Sequence, residues 1–209
     1  MDARLRDLLA FLKEKGTKID SHNLRVECRD RGDGAGNGLF ASRTSPPTST
    51  LFTIPAQAMI NIKTLAPYYP HDFSKLSATQ WISLHMCLYR PLGDGPSSDP
   101  LFGPYISVLP RDFVSHPVVW MVKQDLRQTG LDTQLLEHLP PTTLAALKKV
   151  CLKFWDDWGA VCKCMSQHPE ILVKAGQPEL RFTLGNSSLC MDFLWAWLNG
   201  SVASIPPCL

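Results

Sequence analysis

The chain has 209 residues, of which 44% are hydrophobic and 19% are charged. This composition suits one domain, or one domain with a small insert, and excludes a chain that is disordered by composition. The formal net charge of +2 is too small to indicate nucleic acid or an anionic membrane surface as a partner. No apolar run approaches the roughly 18 to 20 residues that cross a bilayer, so we predict no membrane association.

Seven cysteines are spaced irregularly along the chain. Their odd number and the lack of a secretory leader favour reduced thiols in an intracellular protein. Cys162 and Cys164, with Cys151 and His168, invite comparison with a zinc site. However, Cys162 and Cys164 are two residues apart on a predicted helix and would point to different faces. We therefore predict buried or surface thiols and no metal site.

The first third of the chain changes from helical to extended patterns. Leucines with charges between them predict an amphipathic helix over Asp2–Lys15, in an amino-terminal segment of residues 1–17, with Gly16 just past the helix end. Asn23–Cys28 alternates like a half-buried strand, Leu39–Ala41 is extended, and Thr50–Ile54 resembles another short strand. Closely spaced short strands predict a small β-rich unit.

The rest of the chain has a mainly helical pattern that begins near Ser77. Phe102–Leu109 is the exception and is predicted to be extended. A long apolar stripe predicts a helix over Thr142–Gln167, and a last helix is predicted over Ser188–Leu198. The final segment, residues 199–209, has no periodicity and is predicted to form no stable element.

The segment Gly34–Ala41 contains three glycines within five residues. Such a turn after a strand lets backbone N–H and C=O groups approach a ligand without interference from Cβ atoms. From spacing alone, a mobile hairpin loop is the favoured interpretation. A dinucleotide or phosphate loop is excluded, because no helix is predicted after the glycines and no Gly-Lys-Ser or Gly-Lys-Thr is present.

Three groups of residues, in the same order along the chain, resemble one family. Gly36-Asn-Gly-Leu-Phe-Ala41 followed by Leu51-Phe-Thr-Ile-Pro55 resembles the opening of SET domains. The resemblance is greatest to the branch of Rubisco large-subunit and ribosomal-protein lysine methyltransferases. Tyr105–Phe113 with His116-Pro117 and Trp120 resembles the entry into that branch's helical insert, and Phe193–Trp197 resembles the aromatic helix that follows it.

The resemblance implies an α+β fold with a partial β-rich SET core and a mainly helical insert. The front of the core would occupy residues 18–110, the insert 111–185, and a helix returning to the core 186–198. It implies a protein-lysine N-methyltransferase that uses S-adenosylmethionine. Its partner would be a protein with a target lysine, such as a ribosomal protein, in the cytoplasm or nucleus.

In this family the glycine segment contacts the methyl donor mainly through main-chain atoms. The matching positions here are Ala35, Gly36, Asn37, Gly38 and Leu39. Family members often have an acidic residue where Ala35 stands, which weakens the expectation of a side-chain contact there.

The family's Asn-His-Ser motif and late channel tyrosine have no counterpart in this sequence. We therefore expect a truncated chain with weak or lost donor binding and no turnover, and we assign no catalytic residue. The alternative is a non-catalytic interaction module in which the helical insert binds a partner protein.

Other reactive side chains have simpler interpretations. Asp156 and Asp157 are adjacent on a predicted helix, diverge by about 100°, and are interpreted as a solvated face. His85 on an apolar helix face is predicted to be a packed residue. Four tryptophans that could stack on a ligand are predicted to belong to the core: Trp155, Trp158, Trp195 and Trp197.

Overall fold

The computed structural model describes residues 3–18, 26–30, 37–128 and 130–201. The chain forms two compact units, Met1–Ile60 and Asn61–Leu209. The boundary between them falls inside the segment 18–110, which the sequence predicted as one region.

The described residues of the first unit form one helix and one strand pair. Helix α1 spans Ala3–Glu14, strand β1 spans Val26–Asp30, strand β2 spans Asn37–Ala41, and a short 3-10 turn spans Ala56–Ala58. The two strands are antiparallel, with Val26 opposite Ala41 and Asp30 opposite Asn37. Residues 50–54 do not form a strand, so the prediction of a third strand there was wrong.

The end of α1 follows from the residue that comes after it. Gly16 has φ +91°, a left-handed conformation that side chains with a Cβ rarely adopt. Its N–H donates to the Lys13 carbonyl at 3.0 Å, and the Thr17 N–H donates to the Leu12 carbonyl at 2.8 Å. These bonds satisfy carbonyls that the helix leaves open, as the sequence predicted from the glycine.

The second unit is built from helices. Their bounds are α2 Ile62–Leu65, α3 Ala78–Leu88, α4 Gly103–Ser107, α5 Pro117–Asp125, α6 Leu131–Gln134, α7 Pro141–Gln167, α8 Glu170–Lys174 and α9 Ser187–Ser201. Short 3-10 helices span Ala66–Tyr68, His71–Lys75 and Leu135–His138. The predicted long helix and last helix are confirmed, although α9 continues past Leu198 to Ser201 and residues 202–209 lie outside the described part.

Several of these helices begin at residues that satisfy the first turn. Ser77 Oγ accepts the Gln80 N–H at 3.2 Å, while Gln80 Oε1 accepts the Ser77 N–H at 2.8 Å. This reciprocal capping box fixes the start of α3. Helices α5 and α7 instead begin at Pro117 and Pro141, where a missing N–H costs nothing.

Aromatic side chains from α7 and α9 fill the core of the second unit. Phe154, Trp158 and Phe193 are each 0% exposed. The Trp158 and Phe193 ring centroids are 5.3 Å apart, and the Phe154 ring meets Trp197 edge-on at 5.7 Å. Of the four tryptophans predicted to belong to the core, Trp158 and the two on α9 are buried, whereas Trp155 is half-buried.

A buried carboxylate joins three helices at the edge of this core. Asp157 is 3% exposed and accepts hydrogen bonds from Gln80 Nε2 at 2.8 Å, Trp197 Nε1 at 2.9 Å and Lys153 Nζ at 3.0 Å. The prediction of a solvated face holds for Asp156 and was wrong for Asp157, because residue 157 lies beside the apolar stripe of α7.

The predicted β-rich core was also wrong. The chain is 58% helical, and its described part contains only the two strands β1 and β2. Within the predicted extended segment Phe102–Leu109 the structure has helix α4, which begins before Pro104. Pro104 lies in the first turn, where its ring is tolerated, and Ser107 Oγ donates to the Gly103 carbonyl at 2.6 Å.

Candidate functional site: a leucine-lined cleft and a buried polar chain

The predicted donor-binding residues lie partly within the described structure. Ala35 and Gly36 are outside it, whereas Asn37, Gly38 and Leu39 form the first half of β2. Gly38 lies opposite Arg29 of β1. Leu39 is 66% exposed although it is apolar, so its side chain is available to a cleft.

Leu39 borders a cleft of about 380 Å³ in the first unit. The leucines of α1 form one wall, residues 26–28 of β1 contribute to another, and Phe52 and Ile54 complete the lining. The volume falls in the range of small-molecule sites, roughly 300 to 1,000 Å³, and such sites are predominantly apolar with a few polar groups. The α1 leucines that line it are Leu5, Leu8, Leu9 and Leu12.

Thr17 provides a polar group in this cleft. Its side chain is 5% exposed, and its Oγ1 has no hydrogen-bond partner within the described residues. A buried hydroxyl without a partner costs about 1–3 kcal/mol. An occupant that donates to or accepts from Thr17 Oγ1 would recover that free energy. Glu27 also lines the cleft, and its carboxylate forms an exposed ion pair with Arg29.

Three polar side chains in the second unit are linked by hydrogen bonds. Tyr69 Oη is 2.7 Å from His85 Nδ1, and His85 Nε2 is 2.9 Å from Asp99 Oδ2. His85 is 1% exposed, as expected for a packed residue. The Asp99 carboxylate also accepts the N–H groups of Leu101 at 3.1 Å and Phe102 at 3.0 Å.

Three buried thiols on α7 and α9 stay protonated at neutral pH, which makes them poor nucleophiles and poor metal ligands. Burial raises the pKa of Cys151, Cys162 and Cys190 to about 12. Cys162 is buried and Cys164 is half-exposed, in accordance with different faces of α7. Within the described residues no group of three His, Cys, Asp or Glu side chains could hold a metal ion.

Sequence reasoning placed His85 on an apolar helix face but missed its partners. Tyr69 and Asp99 come from loops 16 and 14 residues away along the chain. Both lie in loops outside α3, so the periodicity of that helix contains no signal for this cluster. The only hint in the sequence was an ionisable ring among apolar neighbours.

No helix in the described ranges is both long enough and apolar enough to cross a membrane. In comparisons with known proteins, no family model, no curated protein and no solved structure matches this chain.

Proposed function

We propose that this chain derives from an S-adenosylmethionine-dependent protein-lysine N-methyltransferase and that residues 35–39 belong to its donor site. The family resemblance of the sequence is the basis of the proposal. The partner would be a protein that presents a lysine side chain, with ribosomal proteins as the first class to test.

One observation supports this site in particular. The resemblance rests partly on two separate segments, Gly36–Ala41 and Leu51–Pro55, which are ten residues apart. Leu39 from the first and Phe52 and Ile54 from the second line the same cleft. A glycine hairpin remote from any cleft would have removed the basis for a donor site. The Thr17 hydroxyl in that cleft has no hydrogen-bond partner in the described part of the chain, which supports occupation by a ligand with at least one polar group.

We further propose that this chain alone does not turn over. Methyl transfer to lysine requires the donor and a neutral amine to be held close and in line, away from water. The 209 residues contain no Asn-His pair, and all four tyrosines precede residue 106. The family uses such residues to hold the donor and to line the lysine channel, so much of the donor's surroundings would be missing here.

Chemical-shift mapping tests the site directly. S-adenosylmethionine is titrated into the ¹⁵N-labelled full chain. We expect weak binding, with shifts centred on the amides of Gly38, Leu39 and Thr17. The substitution Gly38→Ala should weaken these shifts. The matched control Gly185→Ala, in an exposed loop where an added Cβ meets nothing within 4 Å, should leave them unchanged.

Two results would contradict the proposal in different ways. If no amide of residues 3–60 responds to the donor, the donor site is wrong. If the donor binds with low-micromolar affinity and a lysine peptide is methylated, the site is right and the predicted loss of turnover is wrong.

The alternative is a non-catalytic interaction module. The mainly helical architecture favours it, because the second unit has an aromatic core built from its own helices. Donor titration separates the two functions, since a module that only binds protein has no reason to respond to S-adenosylmethionine at Gly38 and Leu39.

A further inference from the structure

The hydrogen-bonded side chains of Tyr69, His85 and Asp99 have the connectivity of a nucleophile, a general base and an orienting carboxylate, in that order. The carboxylate is fully buried, and two backbone N–H groups fix its position. His85 bridges it to the Tyr69 hydroxyl with contacts of 2.9 and 2.7 Å. Contacts of this length are those expected between a base and a hydroxyl nucleophile.

The hydrogen bonds determine which way each proton points. A carboxylate can only accept, so His85 Nε2–H donates to Asp99, and in the neutral ring Nδ1 carries a lone pair. The Tyr69 hydroxyl therefore donates its proton to Nδ1, and the lone pairs of its oxygen remain for other contacts. This is the tautomer that a general base requires.

Tyr69 rests as a neutral phenol. Burial, followed by the nearby Tyr89 and Asp99, raises the pKa of Tyr69 well above 10. A high resting pKa is compatible with nucleophilic use, because in a hydroxyl–imidazole pair the proton leaves as the new bond forms. The serine of a hydrolase triad works from the same neutral state.

Tyr69 and His85 border a small cavity of about 50 Å³. Tyr68, Tyr89 and Lys174 also line it, together with apolar side chains of Pro100, Leu101 and Ile171. About 10–15 Å³ of such volume holds one water, so the cavity has room for a group of a few heavy atoms. Lys174 Nζ donates to the Tyr68 carbonyl at 3.0 Å, which places a positive charge in the lining.

We propose that Tyr69 is a nucleophile that accepts small acyl or sulfonyl groups, with His85 as its general base and Asp99 as a positioning residue. Tyr69 Oη bonds to the acyl carbon or sulfonyl sulfur, and its proton passes to His85 Nδ1. The bond to the leaving group breaks with the electron pair on that group, which takes the proton from His85. The product is a tyrosyl ester, and no later hydrolysis is required. This site is separate from the residues proposed to bind the methyl donor.

The test uses two electrophiles that transfer groups of three or four heavy atoms to the full chain: N-acetylimidazole and methanesulfonyl fluoride. Peptide mass spectrometry measures the labelling rate of every tyrosine in one sample. Tyr68, which is 44% exposed and forms no hydrogen bond with a histidine among the described residues, is the internal reference. We expect Tyr69 to react at least about tenfold faster than Tyr68.

Three variants assign the roles. Tyr69→Phe should abolish the fast label while keeping the ring. His85→Gln should slow Tyr69 labelling by about 100-fold or more, the usual contribution of a general base. Asp99→Asn should slow it as well, because an amide can present a donor to His85 and so favour the wrong tautomer. Labelling of Tyr68 should stay the same in all three.

The proposal is overturned if native Tyr69 reacts no faster than Tyr68, or if His85→Gln leaves its rate unchanged in folded protein. Circular dichroism and the melting temperature establish whether each variant is folded. If His85→Gln unfolds, the comparison of Tyr69 with Tyr68 in the native protein decides the matter alone. A purely structural role predicts a lower melting temperature for Tyr69→Phe and no excess reactivity in the parent.

Discussion

Removing the Asp157 carboxylate should destabilise the helical unit strongly. Asp157→Ala leaves the amide N–H of Gln80 and the indole N–H of Trp197 without their acceptor. A buried donor without a partner costs about 1–3 kcal/mol. Trp197 is 3% exposed and pays that cost in full, whereas Gln80 is half-exposed and can recover water. We expect a loss of about 3 kcal/mol in the free energy of unfolding.

Thermal unfolding followed by tryptophan fluorescence measures this loss. All six tryptophans lie between residues 81 and 197, so the signal reports on the helical unit alone. For a domain of this size each kcal/mol lowers the midpoint by about 2–4 °C, which predicts a drop of roughly 6–12 °C. Asp157→Asn keeps one acceptor oxygen and should cost about 1–2 kcal/mol.

The neighbouring residue provides the control. Asp156 is exposed, and Asp156→Ala should change the free energy of unfolding by less than about 0.5 kcal/mol. If Asp157→Ala and Asp156→Ala have equal midpoints, then the carboxylate does not stabilise the junction of α3, α7 and α9. The hydrogen-bond argument would then fail.

Three further outcomes follow from single features. Gly16→Ala should lower stability by about 1 kcal/mol, measured by urea unfolding followed by circular dichroism, because φ is +91° there. Ellman's reagent at pH 8 should leave Cys162 and Cys190 unmodified until urea is added, since burial raises their pKa to about 12. Rapid modification of either in native protein would contradict this. The largest cause that lowers the pKa of Asp72 is its hydrogen bond with Lys75. The largest cause that lowers the pKa of Glu170 is a hydrogen bond with its own backbone. These two carboxylates stabilise the folded state above their unfolded pKa values, and the stabilisation is lost as the pH falls through their folded pKa values. The double variant Asp72→Asn with Glu170→Gln should therefore show a smaller fall of the melting temperature at acid pH.

Helices with a continuous apolar stripe could be predicted from the sequence, and segments of mixed pattern could not. Helix α7 repeats apolar residues over seven turns, so its bounds were predicted within one residue. Phe102–Leu109 and Thr50–Ile54 are both rich in β-branched and aromatic residues, which fit a strand only if a neighbouring strand exists. Such partners come from the whole fold rather than from the segment.

Residues of the candidate sites could likewise be predicted only where they are close together in the sequence. The glycine segment was recognisable because its residues are adjacent, and part of it does border a cleft. Asp157 was misassigned because its partners Gln80 and Trp197 lie 77 and 40 residues away along the chain. A carboxylate in the sequence looks the same whether it faces water or an indole N–H.

Helix α9 has a consequence for how the protein is made. Its run of buried residues from Phe193 to Leu198 packs against α3 and α7, and it is the last described element of the unit. About 110 residues separate the end of α3 from the end of α9, so at about 5–20 residues per second the ribosome needs roughly 6–20 s to supply the missing face. During that interval the face of α3 that packs against α9 has no permanent neighbour. We therefore expect a chaperone that shields exposed hydrophobic surface to bind the nascent chain during synthesis.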